Sequence, residues 1–401
     1  MRAGLRATAE APVFSVAPMR VYLDHNSTTP LRMEVRECWL EVAGEVGGNP
    51  SSLHTSGRRA RAWVDKSRER VAAALRVHED EILFTSGATE ANNLALFGSL
   101  EAAGAGLLTT AIEHSSVLGP ARELAARGFR LKLVPVDEQG FPDPRRIGAL
   151  AARGGIALVS VAAANNETGV LSDLCAISAE LAGLGPVRPR FHTDAVQALG
   201  RIPVRLAAWG VDLASFSAHK IGGPPGVGIL WRRKGLGLRP LVFGGGQELD
   251  LRPGTENVPG IAAAALAIEL AVDEQEEYAA RTRELAGWLW HELHASVPAL
   301  RLLGPPIDSE RRLPNALCVL VPGTDGKVLV TRLDLAGLEV SAGSACASGS
   351  VEPSHVLLAM GLSRDEARSG LRLSLGRTTT REECRRALSA LDNTLASSRA
   401  T

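Results

Sequence analysis

ILFTSG (82–87), LLTTAIEH (107–114), LKLVPVD (131–137), IALVSVAAANN (156–166), VRPRFHTD (187–194), DLASFSAHK (212–220) and GVGILW (226–231) follow one another, with helix-like stretches between them. Each is a short apolar run of strand length. Strands that alternate with helical patterns pair in parallel through crossover helices, so the segment predicts an α/β domain whose mostly parallel sheet is flanked by helices. Beyond it, residues 261–293 are rich in Ala, Leu and Glu with apolar residues near helical spacing, which predicts one long helix leading out of the first domain. The C-terminal part, with NALCVLV (315–321), LEVSAGSACASGS (338–350) and GLRLSLG (370–376), reads as a smaller α+β unit.

The bulk composition narrows the function. In 401 residues, 44 Lys plus Arg cancel 44 Asp plus Glu, so no net field draws the chain to nucleic acid or anionic lipid. Hydrophobic residues at 45% and charged ones at 22% are globular proportions. Apolar stretches such as 261–271 are about half the ~20 residues of a membrane-spanning helix. Five cysteines, scattered and without a Cys-x-x-Cys, suit neither a disulfide framework nor a zinc knuckle and point to a reducing, cytoplasmic setting. Residues 1–19 carry Arg2 and Arg6 but no apolar core for secretion, and read as a disordered extension.

In such sheets, ligands collect beyond the carboxyl ends of the strands. After ILFT comes Ser86-Gly87-Ala88-Thr89-Glu90, a turn of short side chains into a helix, whose backbone N–H groups suit a phosphate. Alone, such a turn is more often just an ordinary N-cap. The next exits carry His114, then Asn165-Asn166-Glu167, then Asp194 with Gln197, then Ser217, His219 and Lys220. One His or one Asp there has a structural explanation; five polar exits in succession, ending in a lysine beside a Gly/Pro-rich turn (222–226), describe a cofactor cradle.

No strand is followed by Gly-x-Gly-x-x-Gly, and no Gly-x-x-x-x-Gly-Lys-Ser/Thr occurs, which disfavours dinucleotides and P-loop nucleotides. HELH (291–294) is one residue short of a zincin motif and reads as an exposed helix face, so no metal is expected. Pyridoxal phosphate fits the set, because it needs a lysine for its Schiff base, a carboxylate facing the pyridinium nitrogen and a helix N-terminus for its phosphate. Lys220, Asp194 and the 86–90 turn supply these.

The segments YLDHNSTTP (22–30), GNPSSLHTSGR (48–58), FTSGATEANNLA (84–95), NNETG (165–169), HTDAVQ (192–197), SFSAHKIGGPPGVG (215–228), GGGQE (244–248), RPGTEN (252–257) and SAGSACASGSVEPSHVL (341–357) resemble, in order, the cysteine desulfurases. These belong to the class V aminotransferase group of the pyridoxal-phosphate fold type I enzymes. The loop around Cys346 is similar to that of the long-loop NifS/IscS type. The resemblance implies a large cofactor-binding domain over 32–262 and a small domain made of 20–31 with 263–401. It further implies that Lys220 is the Schiff-base lysine, Asp194 the pyridinium partner, Gln197 the donor to the phenolic oxygen and His114 the imidazole stacked on the ring. Ala88, Thr89, Ser217 and His219 resemble the phosphate contacts, completed by Thr255 from the other subunit of a homodimer. Asn166 and Arg372 resemble the substrate-carboxylate clamp, for which a planar guanidinium is suited. His25 and Ser27 depart from the pattern, standing where another small or aromatic residue and Ala are expected.

Cys346 lies among Ser344, Ala345, Ala347, Ser348, Gly349 and Ser350, small residues that leave the backbone free. By the resemblance it is the nucleophile that takes sulfur from L-cysteine, leaving alanine and a persulfide for an acceptor protein in iron–sulfur cluster assembly or another thio-product. At a reference pKa near 8.5 only about 3% of a thiol is thiolate at pH 7, so this cysteine needs help from His114 or the substrate's own protons. A selenocysteine lyase or another class V enzyme of the aminotransferase type is the alternative, since most of these residues would be shared.

Overall fold

The computed structural model describes residues 20–100, 104–343 and 352–399. Among them the strands are β1 (Val21–Tyr22), β2 (Ile82–Thr85), β3 (Gly106–Thr110), β4 (Arg130–Val134), β5 (Ile156–Ser160), β6 (Arg190–Asp194), β7 (Leu213–Ser217), β8 (Gly228–Arg232), β9 (Arg301–Leu302), β10 (Ala316–Leu320), β11 (Leu338–Glu339) and β12 (Gly370–Ser374). Seven of them form one sheet in the order β2-β8-β7-β6-β5-β3-β4. The stretches read as strands in the sequence are these seven. β8 alone runs against the rest, pairing antiparallel with both β2 and β7. Its connection to β7, residues 218–227, is shorter than the dozen or so residues a parallel return needs.

Successive side chains on a strand point to opposite faces, and here both faces are covered. Ile82, Phe84, Ala214, Phe216, Ile229 and Trp231 enter a core with the helices Met33–Glu45, Thr55–Leu75 and Val258–Asp273. Leu83, Leu213 and Leu230 enter another with the helices Ala88–Ser99 and Ser115–Ala126. The result is a three-layer α/β arrangement. A separate core joins Val21 and Leu23 to residues between Leu285 and Leu395, around the antiparallel sheet β12-β10-β9 and the small pair β1-β11.

The long helix expected over 261–293 is two helices, Val258–Asp273 and Gln275–Ser296, separated at Glu274 by a turn residue at φ −86°, ψ 0°. The junction expected after 262 falls inside the first of these, whose apolar side chains stay in the sheet core as far as Ala271. His291 and His294 are exposed on the second, His294 stacked on Trp290. No helix among the described residues is long and apolar enough to cross a membrane.

Residues 22–31 run between the two regions. Thr29 N–H donates to His219 O (3.0 Å) and Arg32 N–H to Gly222 O (3.0 Å), while Asn26 N–H donates to Ser374 Oγ (2.9 Å) and His25 N–H to Ser374 O (3.2 Å). This strap carries the C-terminal sheet to the open edge of the large one.

Candidate active site

The exits of β2, β3, β5, β6 and β7 open on a cavity of about 370 Å³. Ala88, Thr89, His114, Asn166, Asp194, Gln197, Ser217, His219, Lys220 and Arg372 all line it. Thr255, read from the sequence, is exposed and not part of the lining, and Cys346 lies outside the described residues.

The β2 exit makes the phosphate-type end. Gly87 caps the helix Ala88–Ser99, and a side chain at Gly87 would meet nothing within 4 Å. Ser86 N–H donates to Glu90 Oε2 (2.8 Å), and Arg252 Nε donates to Glu90 Oε1 (3.1 Å). Gly228, opposite on β8, has to be glycine, since a Cβ there would lie 2.3 Å from the Gly87 carbonyl carbon.

At the other end, Asp194 is 7% exposed; its Oδ2 accepts from Asn92 Nδ2 (2.8 Å) and its Oδ1 from Val196 N–H (3.0 Å). The same Asn92 Nδ2 donates to Ser116 Oγ (2.9 Å). His114 caps the helix Ser115–Ala126, its Nδ1 accepting from Ser116 N–H (3.1 Å), which leaves the proton of the neutral ring on Nε2. Gln197 Nε2 donates to Asn26 O (3.0 Å), whereas its Oε1 is buried without a partner. His219 Nδ1 bonds Thr28 Oγ1 (3.0 Å), and burial, with Lys220 and Arg201 nearby, pushes its pKa down to about 4, so the ring is neutral at pH 7.

Lys220 Nζ donates to the carbonyls of Asn26 (2.8 Å) and Ser27 (2.5 Å). Arg372, 1% exposed, arrives from β12; Nη2 donates to Asp24 Oδ1 (2.6 Å) and Ser27 Oγ (2.8 Å), and Nη1 to Asn166 O (3.1 Å). Removing Asp24 would leave the buried guanidinium without its carboxylate. The open space over Gly87 at a helix start, with the Asp194 carboxylate and the Lys220 amine lining the same cavity, fits a flat, phosphorylated guest such as pyridoxal phosphate.

Asp24, Asn26, Asn92 and Ser116 were not singled out from the sequence, and Ser27 was noted there only as a departure from the family pattern. Apart from the Ser116 contact with His114 two residues away, their roles depend on contacts across 24 to 348 residues of chain, for which no local pattern exists. Glu113 was missed too, although it adjoins His114. Its Oε1 accepts from Thr110 Oγ1 (2.7 Å), and both oxygens face Ala162 N–H (3.1 and 3.0 Å), joining the β3 and β5 exits. Burial pushes this carboxyl up to about 8, with Asp194 raising it and His114 opposing.

Below about pH 4 the folded and unfolded chains both hold the Glu113 proton. From there to pH 8 only the folded chain keeps it, so this group's stabilising contribution is lost as pH rises and the loss is complete above 8. Glu113→Gln, a neutral acid's isostere, should therefore raise Tm relative to the parent by an amount that grows from pH 5 to 8. Thermal melts across that range check it; a pH-independent difference would mean that the carboxyl is already ionised at neutral pH.

The sequence pattern of the family described as aminotransferase class-V matches residues 21–386. A cysteine desulfurase IscS from Dictyoglomus turgidum is 42% identical over 375 residues, 93% of each chain. Among solved structures, a NifS-like protein superposes with a TM-score of 0.87 at 39% identity, covering 94% of this chain and all of its own. Another, described as SspA in complex with cysteine, gives 0.75 at 30% identity over 88% of this chain and 98% of its own.

Proposed function

Because the chain belongs to the class V aminotransferase family, among its pyridoxal-phosphate-dependent cysteine desulfurases, we propose which of its residues convert L-cysteine to L-alanine and carry the sulfur away. The observation that carries the assignment is the meeting, in one cavity, of Lys220, Asp194, the 86–89 turn and Arg372. When bound, pyridoxal phosphate supplies an electron sink at the carbon next to the substrate's carboxylate.

Lys220 would hold the cofactor, and its amine would move protons at the substrate carbon. Asp194 keeps the ring nitrogen protonated and Gln197 bonds the phenolic oxygen. Ala88, Thr89, Ser217 and His219 hold the phosphate, with Thr255 contributed across a subunit boundary. The imidazole of His114, oriented by Ser116 at its Nδ1, would lie against the cofactor ring and exchange a proton at Nε2. Asn166 and Arg372 hold the substrate carboxylate. Cys346 attacks the substrate sulfur as a thiolate, so an S–S bond forms while the C–S bond breaks, and a persulfide remains on the chain. Among the four described cysteines, none lines the cavity, and burial pushes the thiols of Cys318 and Cys384 up to about 12 and about 11, which supports the assignment to Cys346.

The proposal extends to organisation. A large domain spans the sheet core, and a small one combines residues 20–31 with the chain after Glu274, a division supported by the two separate apolar cores. The protein works as a homodimer in the cytoplasm and passes its persulfide sulfur to an acceptor protein, for iron–sulfur cluster assembly or another thio-product. Exposed Leu53, Val242, Phe243 and Leu249 support an interface beside the Thr255 segment. Analytical ultracentrifugation at micromolar concentration should give twice the chain mass, and a stable, fully cofactor-loaded monomer would refute the shared site. The reaction itself is tested by incubating the holoenzyme with cysteine and a reductant and measuring sulfide and alanine, expected in equal amounts.

A further inference from the structure

We propose that Ser27 is a direct contact for the carboxylate of an α-amino acid, working beside Arg372; this rests on the reading of Arg372 as the carboxylate clamp. The argument is a count of hydrogens. Arg372 Nη2 spends both of its own on Asp24 Oδ1 and Ser27 Oγ, Nη1 spends one on Asn166 O, and Nε is buried without a partner. A guanidinium committed in this way has no complete edge left for a two-pronged grip on an incoming carboxylate. It is also already neutralised by Asp24, 2.6 Å away.

Ser27 supplies what is missing. A guanidinium only donates, so Ser27 Oγ is the acceptor in its 2.8 Å bond to Arg372, and its own O–H proton has no acceptor among the described residues. The residue is half-buried and lines the cavity. Its backbone carbonyl holds Lys220 Nζ at 2.5 Å. One residue thus touches both the lysine that meets a substrate amine and the guanidinium that meets a substrate carboxylate. A neutral O–H adds a hydrogen bond to that carboxylate without a further charge to desolvate.

The test is a spectral titration of the holoenzyme, following the cofactor's visible band, with L-alanine and with ethylamine, which is alanine without its carboxylate. Ser27→Ala should raise the half-saturating alanine concentration about five- to tenfold, the loss of one hydrogen bond, and leave ethylamine unchanged. Ser27→Thr, which keeps the hydroxyl, should restore alanine binding. Arg372→Lys is run in parallel and should weaken alanine only. If Ser27→Ala leaves alanine binding intact while Arg372→Lys weakens it, Ser27 is not a contact and the clamp reading stands. Equal weakening of alanine and ethylamine in Ser27→Ala would move the effect to Lys220 and overturn the proposal. Unchanged alanine binding in Arg372→Lys would remove the clamp itself, and the proposal with it.

Discussion

Lys220→Ala is expected to abolish multiple turnover, by about 10³-fold or more, while the fold persists. Two losses combine at one atom: the amine that would hold the cofactor covalently, and the base that moves protons at the substrate carbon. The fold should survive because the side chain contributes hydrogen bonds to the carbonyls of Asn26 and Ser27, and the strap carrying them is also held by Thr29, Arg32 and Asn26 through contacts of their own. The purified variant should lose the visible band of the attached cofactor, with Tm within a few degrees of the parent. A normal band together with cysteine turnover would show that another residue holds the cofactor.

Cys346→Ser should separate sulfur transfer from the rest of the chemistry. None of the residues assigned to the phosphate, the ring or the carboxylate is altered, so cofactor content and the spectral response to cysteine should match the parent. Alanine production and protein-bound persulfide should fall to background, about 10²-fold or more, because a hydroxyl is not an acceptor for sulfur leaving carbon and placing the acceptor at the site supplies much of the rate. Persulfide labelling by alkylation, with alanine measured in the same samples, reads both. Near-normal persulfide in the serine variant would end the assignment of Cys346 as acceptor.

Much of the site was legible because the chemistry sits at strand exits. His114, Asn166, Asp194, Ser217, His219 and Lys220 each lie at the end of a short run of strand length between helical patterns, and a parallel sheet gathers such exits along one edge. Local pattern was enough for these because each residue is placed by its own strand. The helix break at Glu274 was not legible: the Ala/Leu/Glu composition continues across it, and the turn follows from the first helix packing on the sheet while the second packs on the C-terminal core.

By itself, then, the amino-acid order determined the alternation of strands and helices, the mostly parallel sheet, and the residue types gathered at its carboxyl edge, since periodicity and turn chemistry act over a few residues at a time. Tertiary structure alone decided three things. The strap 24–27 and Arg372 meet across 348 residues of chain at Asp24, and 345 at Ser27, because the N-terminal strand and β12 share the second core. Burial where the β3 and β5 exits close over Glu113 pushes its carboxyl up to about 8. Gln197 Nε2 donates to the strap at Asn26 O, 171 residues away, while its Oε1 stays buried without a partner. Each depends on which distant surfaces pack together, and desolvation and hydrogen-bond competition take their values only after that packing is complete.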